Sequence, residues 1–152
     1  MSTLPPESSS AFSAEFGADR FVVVDSSVAF KWFVQHESAT DRAWDLLEQH
    51  QRGEIVLAAP THMPLEVLNA IMHTNADDEL VGRVATDLDQ FDIALFSLTP
   101  ALLARSALVG RQDGLALYDA VFAALAETLR TELVTADRRQ ARASVCPVRA
   151  VF

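Results

Sequence analysis

The sequence holds a single cysteine, Cys146, so no disulfide can form within the chain, which fits a reducing compartment. That thiol reads as a small buried hydrophobe. Long apolar runs are also missing. Although 50% of the residues are hydrophobic, no run reaches the roughly 18 residues that a bilayer-crossing helix requires. The N-terminus lacks the basic-then-apolar order of a secretory signal. These absences lead us to expect a soluble, cytoplasmic protein without a membrane partner. Glycine is scarce, and no Gly-rich loop is present to cradle a phosphate.

Basic residues are few: 12 Lys and Arg stand against 21 Asp and Glu, a net charge of −9. Neutralising phosphates takes cations, so this balance argues at first against a nucleic-acid partner. The distribution weakens that argument. Residues 1–100 hold 5 basic and 16 acidic side chains, whereas residues 101–152 hold 7 and 5. The local basic cluster is "DRRQAR", with Arg138, Arg139 and Arg142. It fits a solvated helix face about as well as a phosphate contact.

What is present is enough for one domain: 152 residues bury a sizeable core without disulfide or structural metal. The stretch 1–20 is rich in Ser, Pro and small residues and reads as a disordered leader, which leaves 21–152 as the folded domain. Within it, β-branched apolar runs alternate with helical patterns. "FVVVD", "IVLAA" (55–59), "IALFSL" (93–98) and "ELVTA" (132–136) read as strands. The intervening segments place apolar residues at three and four spacing. Ser38 or Thr40 is expected to cap the second helix, Pro64 lies in the first turn of the next, and a later helix opens at Pro100 and ends at Gly110. This βα alternation predicts an α/β fold with a mostly parallel sheet and helices on both faces.

In such sheets ligands bind beyond the carboxyl ends of the strands. Asp25 ends the first strand, Asp137 follows the fourth, and Glu66 lies early in the helix after "IVLAAP". Asp119 is expected to project from the packed face of a helix near its start, because Leu115, Ala116, Phe122 and Ala123 are all apolar. Each acid also has a plain structural reading. Asp25 and Asp137 suit loop or cap positions, and Glu66 suits a solvated stripe with Asn69 and His73. Converging carboxylates repel unless a cation neutralises them, and oxygen donors without Cys or His select a hard ion, Mg²⁺ or Mn²⁺. The histidines form no zinc motif: His36 and His50 fall on polar helical surfaces, and His62 and His73 lie off one-turn spacing, which leaves surface or supporting roles.

With these residues the chain resembles the PIN-domain nucleases, specifically the VapC-type toxins of bacterial toxin–antitoxin pairs. The resemblance runs from Phe21 onward and rests on "VVDSSVAFKWF", "PLEVLNAI", "LYDAVFAALAE" and "LVTADRR", in that order. It implies a three-layer α/β/α sandwich and metal-dependent endonucleolytic cleavage of RNA. Asp25, Glu66, Asp119 and Asp137 carry over as catalytic positions. Of these, Asp25, Asp119 and Asp137 would ligate one or two Mg²⁺ or Mn²⁺ ions, with Glu66 as a ligand or as the orienter of the attacking water. Thr135 matches a supporting hydroxyl, Asn69 a polar position one turn after the Glu, and Ser26 joins them as a supporting side chain. RNA contacts would fall to Lys31, Arg138, Arg139 and Arg142. The resemblance further implies a VapB-like antitoxin and a homodimer.

Two features depart from the usual pattern: the leader, and an acidity that leaves few cations for RNA. Other readings carry their own requirements. An aspartyl-nucleophile phosphatase wants an Asp where Ser27 stands, and a receiver-like domain wants an acidic pair before the first helix. A catalytically inactive PIN-like scaffold that binds a protein partner is separated from an enzyme by assay alone.

Overall fold

The computed structural model describes residues 20–34 and 39–152. Residues 1–19 of the expected leader, the expected cap Ser38 and His36 lie outside the described residues. The chain opens with β1 (Phe21–Val24), the short helix α1 (Ser26–Phe30) and α2 (Thr40–Gln51). It continues through β2 (Val56–Pro60), α3 (Met63–Met72), α4 (Asp78–Gln90) and β3 (Ala94–Phe96). Then come α5 (Pro100–Asp113), α6 (Leu117–Leu129), β4 (Leu133–Thr135), a 3₁₀ turn (Gln140–Arg142) and β5 (Val148–Ala150).

The five strands form one sheet in the order β3-β2-β1-β4-β5. Every pairing is parallel, so the sheet is wholly rather than mostly parallel. With the helices around it, it makes the expected three-layer α/β/α fold. All four residues of β1 are buried, as a central parallel strand covered on both faces must be. The helix α6 runs along the sheet with Ala120 through Ala126 all buried. Its small side chains let it lie close to the central strands. No helix among the described residues is long and apolar enough to cross a membrane.

Strand order fixes where a site can form. From β1 the chain builds outward through β2 and β3, and later returns to add β4 and β5 on the other side of β1. The crevice beyond the carboxyl ends of β1 and β4 is therefore the switch point at which open α/β sheets bind ligands.

Several local expectations are corrected. The strand β5 was not expected. In β5 two of three residues are exposed, so the strand gives no apolar alternation to read. Thr40 is the first helical residue of α2, and the cap position falls to Ala39, in a left-handed conformation and without a side-chain bond. Helix α5 passes through Gly110 and ends at the left-handed Gly114. Gly110 is needed for closeness instead: a Cβ there would lie 2.9 Å from the Leu115 carbonyl oxygen and 3.5 Å from Ala120 Cβ. The missing side chain lets the end of α5 press against the start of α6.

Candidate active site

Asp25 leaves β1 and caps α1. Its Oδ1 accepts from the amides of Ser27 (3.1 Å) and Val28 (3.2 Å) and from the Ser27 hydroxyl, while Oδ2 accepts from the Thr135 hydroxyl. The side chain is buried at 5% exposure. Burial pushes its pKa up from 3.8 to about 6, against the pull of these donors, and the nearby Asp137 adds to the rise.

The same donors lace β1 to β4. Thr135 Oγ1 accepts the Asp137 amide at 3.0 Å, and Ser27 Oγ accepts the Ala136 amide at 2.9 Å. Asp137 itself is exposed, and its Oδ1 accepts the Arg139 amide at 2.8 Å.

Glu66 arrives from the first turn of α3, which carries Pro64 in its opening positions, where the free amides favour an acid. Its Oε1 accepts from Ser26 Oγ at 2.9 Å and lies 3.4 Å from His62 Nε2. Burial raises its pKa, opposed by the Ser26 hydroxyl and by His62; Asp119 raises it further.

Asp119 sits in the first turn of α6, a helix that runs toward the start of β4 and so begins at the carboxyl edge of the sheet. Burial raises its pKa and so does Asp137, while Arg139 and His62 pull it down. Asp137 therefore raises the pKa of both Asp25 and Asp119, and Asp119 raises that of Glu66. The structure brings all four acids to one rim.

Two contributors were missed in the sequence, and a third was left between two roles. Ser27 was considered only as the residue standing where a phosphatase has Asp, although an Asp followed by Ser at a helix start is a cap pattern. Buried Gln140 donates from Nε2 to the Asp119 carbonyl oxygen at 2.7 Å, tying α6 to the turn after Asp137. His62, expected in a surface or supporting role, faces Glu66 with only 12% of its side chain exposed. His50 also differs from the expected polar surface position: Nε2 lies 2.9 Å from the Phe91 carbonyl oxygen, and Nδ1 accepts the Leu57 amide at 3.0 Å.

The remaining candidates are not drawn into the rim in the same way. Asn69 is exposed, and its backbone carbonyl is held by His73 Nδ1 at 2.7 Å. Lys31 is 6% exposed, which keeps it from acting as an open surface cation. The Arg138 guanidinium lies 4.3 Å from the centre of the Phe152 ring, and Arg142 donates to the carbonyls of Gly114 and Arg139. Arg139 is close enough to lower the pKa of Asp119.

Whether these residues suit a divalent ion divides into two questions. In kind they do: the donors are carboxylate oxygens, three with raised proton affinity from burial and shared negative charge. In spacing the rim is open, because among the described residues no three Asp, Glu, His or Cys side chains meet closely enough to enclose an ion.

Comparison with known proteins adds three findings. The family model described as PIN domain matches residues 22–145. No curated protein sequence gives a significant match. Solved structures do match in fold. VapBC2 from Rickettsia felis, solved bound to a DNA fragment from their promoter, aligns with TM-score 0.64 at 12% identity, over 86% of this chain and 98% of that one. A protein of Pyrobaculum aerophilum aligns at TM-score 0.63 and 20% identity, covering 86% of this chain and 84% of its own. FitAcB from Neisseria gonorrhoeae gives 0.57 at 17% identity, over 84% and 95%.

Proposed function

This chain belongs to the PIN domain family, and we propose that it is a metal-dependent endoribonuclease, the toxin of a toxin–antitoxin pair of the VapBC kind. One observation carries the reading: Asp25, Glu66, Asp119 and Asp137, distant in sequence, stand near one rim, where burial first and then the charge of Asp137 raise the pKa of Asp25 and Asp119, and burial with the charge of Asp119 raises that of Glu66. A fold with no use for that repulsion would gain by relieving it. The fold shared with VapBC2 and FitAcB supports the toxin role, with a VapB-like antitoxin and a second copy of the chain as partners.

On this reading Asp25, Asp119 and Asp137 hold one or two Mg²⁺ or Mn²⁺ ions. Such an ion, when bound, polarises the scissile phosphate and makes water a competent nucleophile near neutral pH. The chain's own part is positioning. Ser27 and Thr135 fix the Asp25 carboxylate, so its orientation is set before substrate arrives. Glu66, held at Oε1 by Ser26, keeps its second oxygen for orienting the attacking water. Water adds to phosphorus in line, the bond to the 3′ oxygen breaks, and that oxygen takes up a proton, leaving 5′-phosphate and 3′-hydroxyl ends. Arg139 at the rim offers a cation for the RNA backbone.

The test is RNA cleavage by the wild type and by Asp119→Asn in Mg²⁺ or Mn²⁺. Loss of a group that only supports a metal site costs about 10–100-fold, so loss of a ligand is expected at the top of that range or beyond. Undiminished cleavage by the variant, or none by the wild type, overturns the reading and leaves the inactive scaffold.

A further inference from the structure

His62 packs one side of its ring against an apolar neighbour and leaves one nitrogen there without a partner. Its ring lies 5.1 Å from the Phe122 ring, tilted by 56°, and its Nδ1 is buried without a hydrogen-bond partner. A buried polar atom left unpaired costs free energy that an apolar ring of the same shape would not. Such a group in a folded protein calls for an explanation, and the other ring nitrogen supplies one.

Nε2 stands 3.0 Å from the Tyr118 carbonyl oxygen and 3.4 Å from Glu66 Oε1. A carbonyl oxygen only accepts, so Nε2 carries a proton in either charge state of the ring. That single N–H is shared between the first turn of α6, one residue before Asp119, and the carboxylate of Glu66 on α3. Ser26 Oγ reaches the same Oε1 at 2.9 Å, whereas Oε2 has no hydrogen-bond partner among the described residues.

We propose that His62 is a positioning residue for Glu66: with Ser26 it pins Oε1, keeps Oε2 for orienting the attacking water, and ties the Glu66 helix to the helix carrying Asp119. The proposal deepens the nuclease reading and rests on it. The ring's packing against Phe122 is the smaller part of its role, and the Nε2 donor is the part that matters to turnover.

Two substitutions separate these parts. His62→Phe keeps the ring and removes both nitrogens; His62→Gln restores an amide N–H near the position of Nε2. The expected result is that His62→Phe still unfolds in one cooperative transition, keeps the KM for RNA, and loses about 10–100-fold in kcat, while His62→Gln recovers most of that loss. Wild-type kcat in His62→Phe, or a His62→Gln no faster than His62→Phe, overturns the proposal. Should the wild type cleave no RNA, the nuclease reading fails, and the link is then read by NMR. The His62 Nε2–H signal should be protected from exchange and should move in Glu66→Gln; an unmoved signal overturns the link independently of activity.

Discussion

The Thr135 hydroxyl donates to Asp25 Oδ2 and accepts the Asp137 amide at 3.0 Å, so one fully buried oxygen ties together two acids that are far apart in sequence. Removing it leaves a buried carboxylate short of a donor and an amide short of an acceptor. Thr135→Val keeps the shape and deletes the oxygen. The expected cost is about 1–3 kcal/mol of unfolding free energy, read from urea denaturation, with Thr135→Ser recovering most of it. A Thr135→Val protein as stable as the wild type would mean that the bridge contributes nothing.

The pH dependence of the metal-free protein follows from Asp25. Its pKa is raised from 3.8 to about 6 by burial, so between those values the folded state binds more protons than the unfolded chain. Stability therefore falls as pH rises through that window, the sign expected of a raised acid. Glu66 and Asp119 are shifted in the same direction. Glu127 is shifted the opposite way by its bond to Arg105, but that pair is largely solvated and its influence is small. In chelator, the melting temperature should rise as pH is lowered from 7.5 toward 5. Asp25→Asn should flatten the profile while abolishing cleavage. A melting temperature that falls steadily on acidification over this range contradicts the account.

Two glycines in helices should respond oppositely to alanine. At Gly82 in α4 a Cβ meets nothing within 4 Å, so Gly82→Ala should stabilise by about 0.5–1 kcal/mol through helix propensity. At Gly110 the new carbon would press on the backbone of Leu115. There the gain should be outweighed, for a net loss on the order of 1–2 kcal/mol, and the displaced start of α6 should lower kcat through Asp119. Equal effects at the two sites, measured by thermal unfolding, would show that α5 and α6 have room to spare.

The pattern of this chain made some features legible and hid others for physical reasons. Burial on both faces made β1 visible as a short apolar run, and the rule that ligands gather at carboxyl ends picked out Asp25 and Asp137 from the strands alone. Asp119 stood out because it interrupts a packed apolar face. The helix α1 was counted without bounds because its five residues are too few to show periodicity. The strand β5 was hidden because most of it faces solvent. Ser27, His62 and Gln140 act through hydrogen bonds to partners 109, 56 and 21 residues away. No local pattern encodes such partners; they follow from the fold.

The central claim is that the acidic rim binds a divalent ion through Asp119 and its neighbours, and thermal melting with and without metal tests it most directly. Millimolar Mg²⁺ or Mn²⁺ should raise the melting temperature of the wild type, because the ion binds the folded state and relieves its repulsion. Asp119→Asn should show little or no rise. An unshifted wild type, or an equal shift in both proteins, would contradict it.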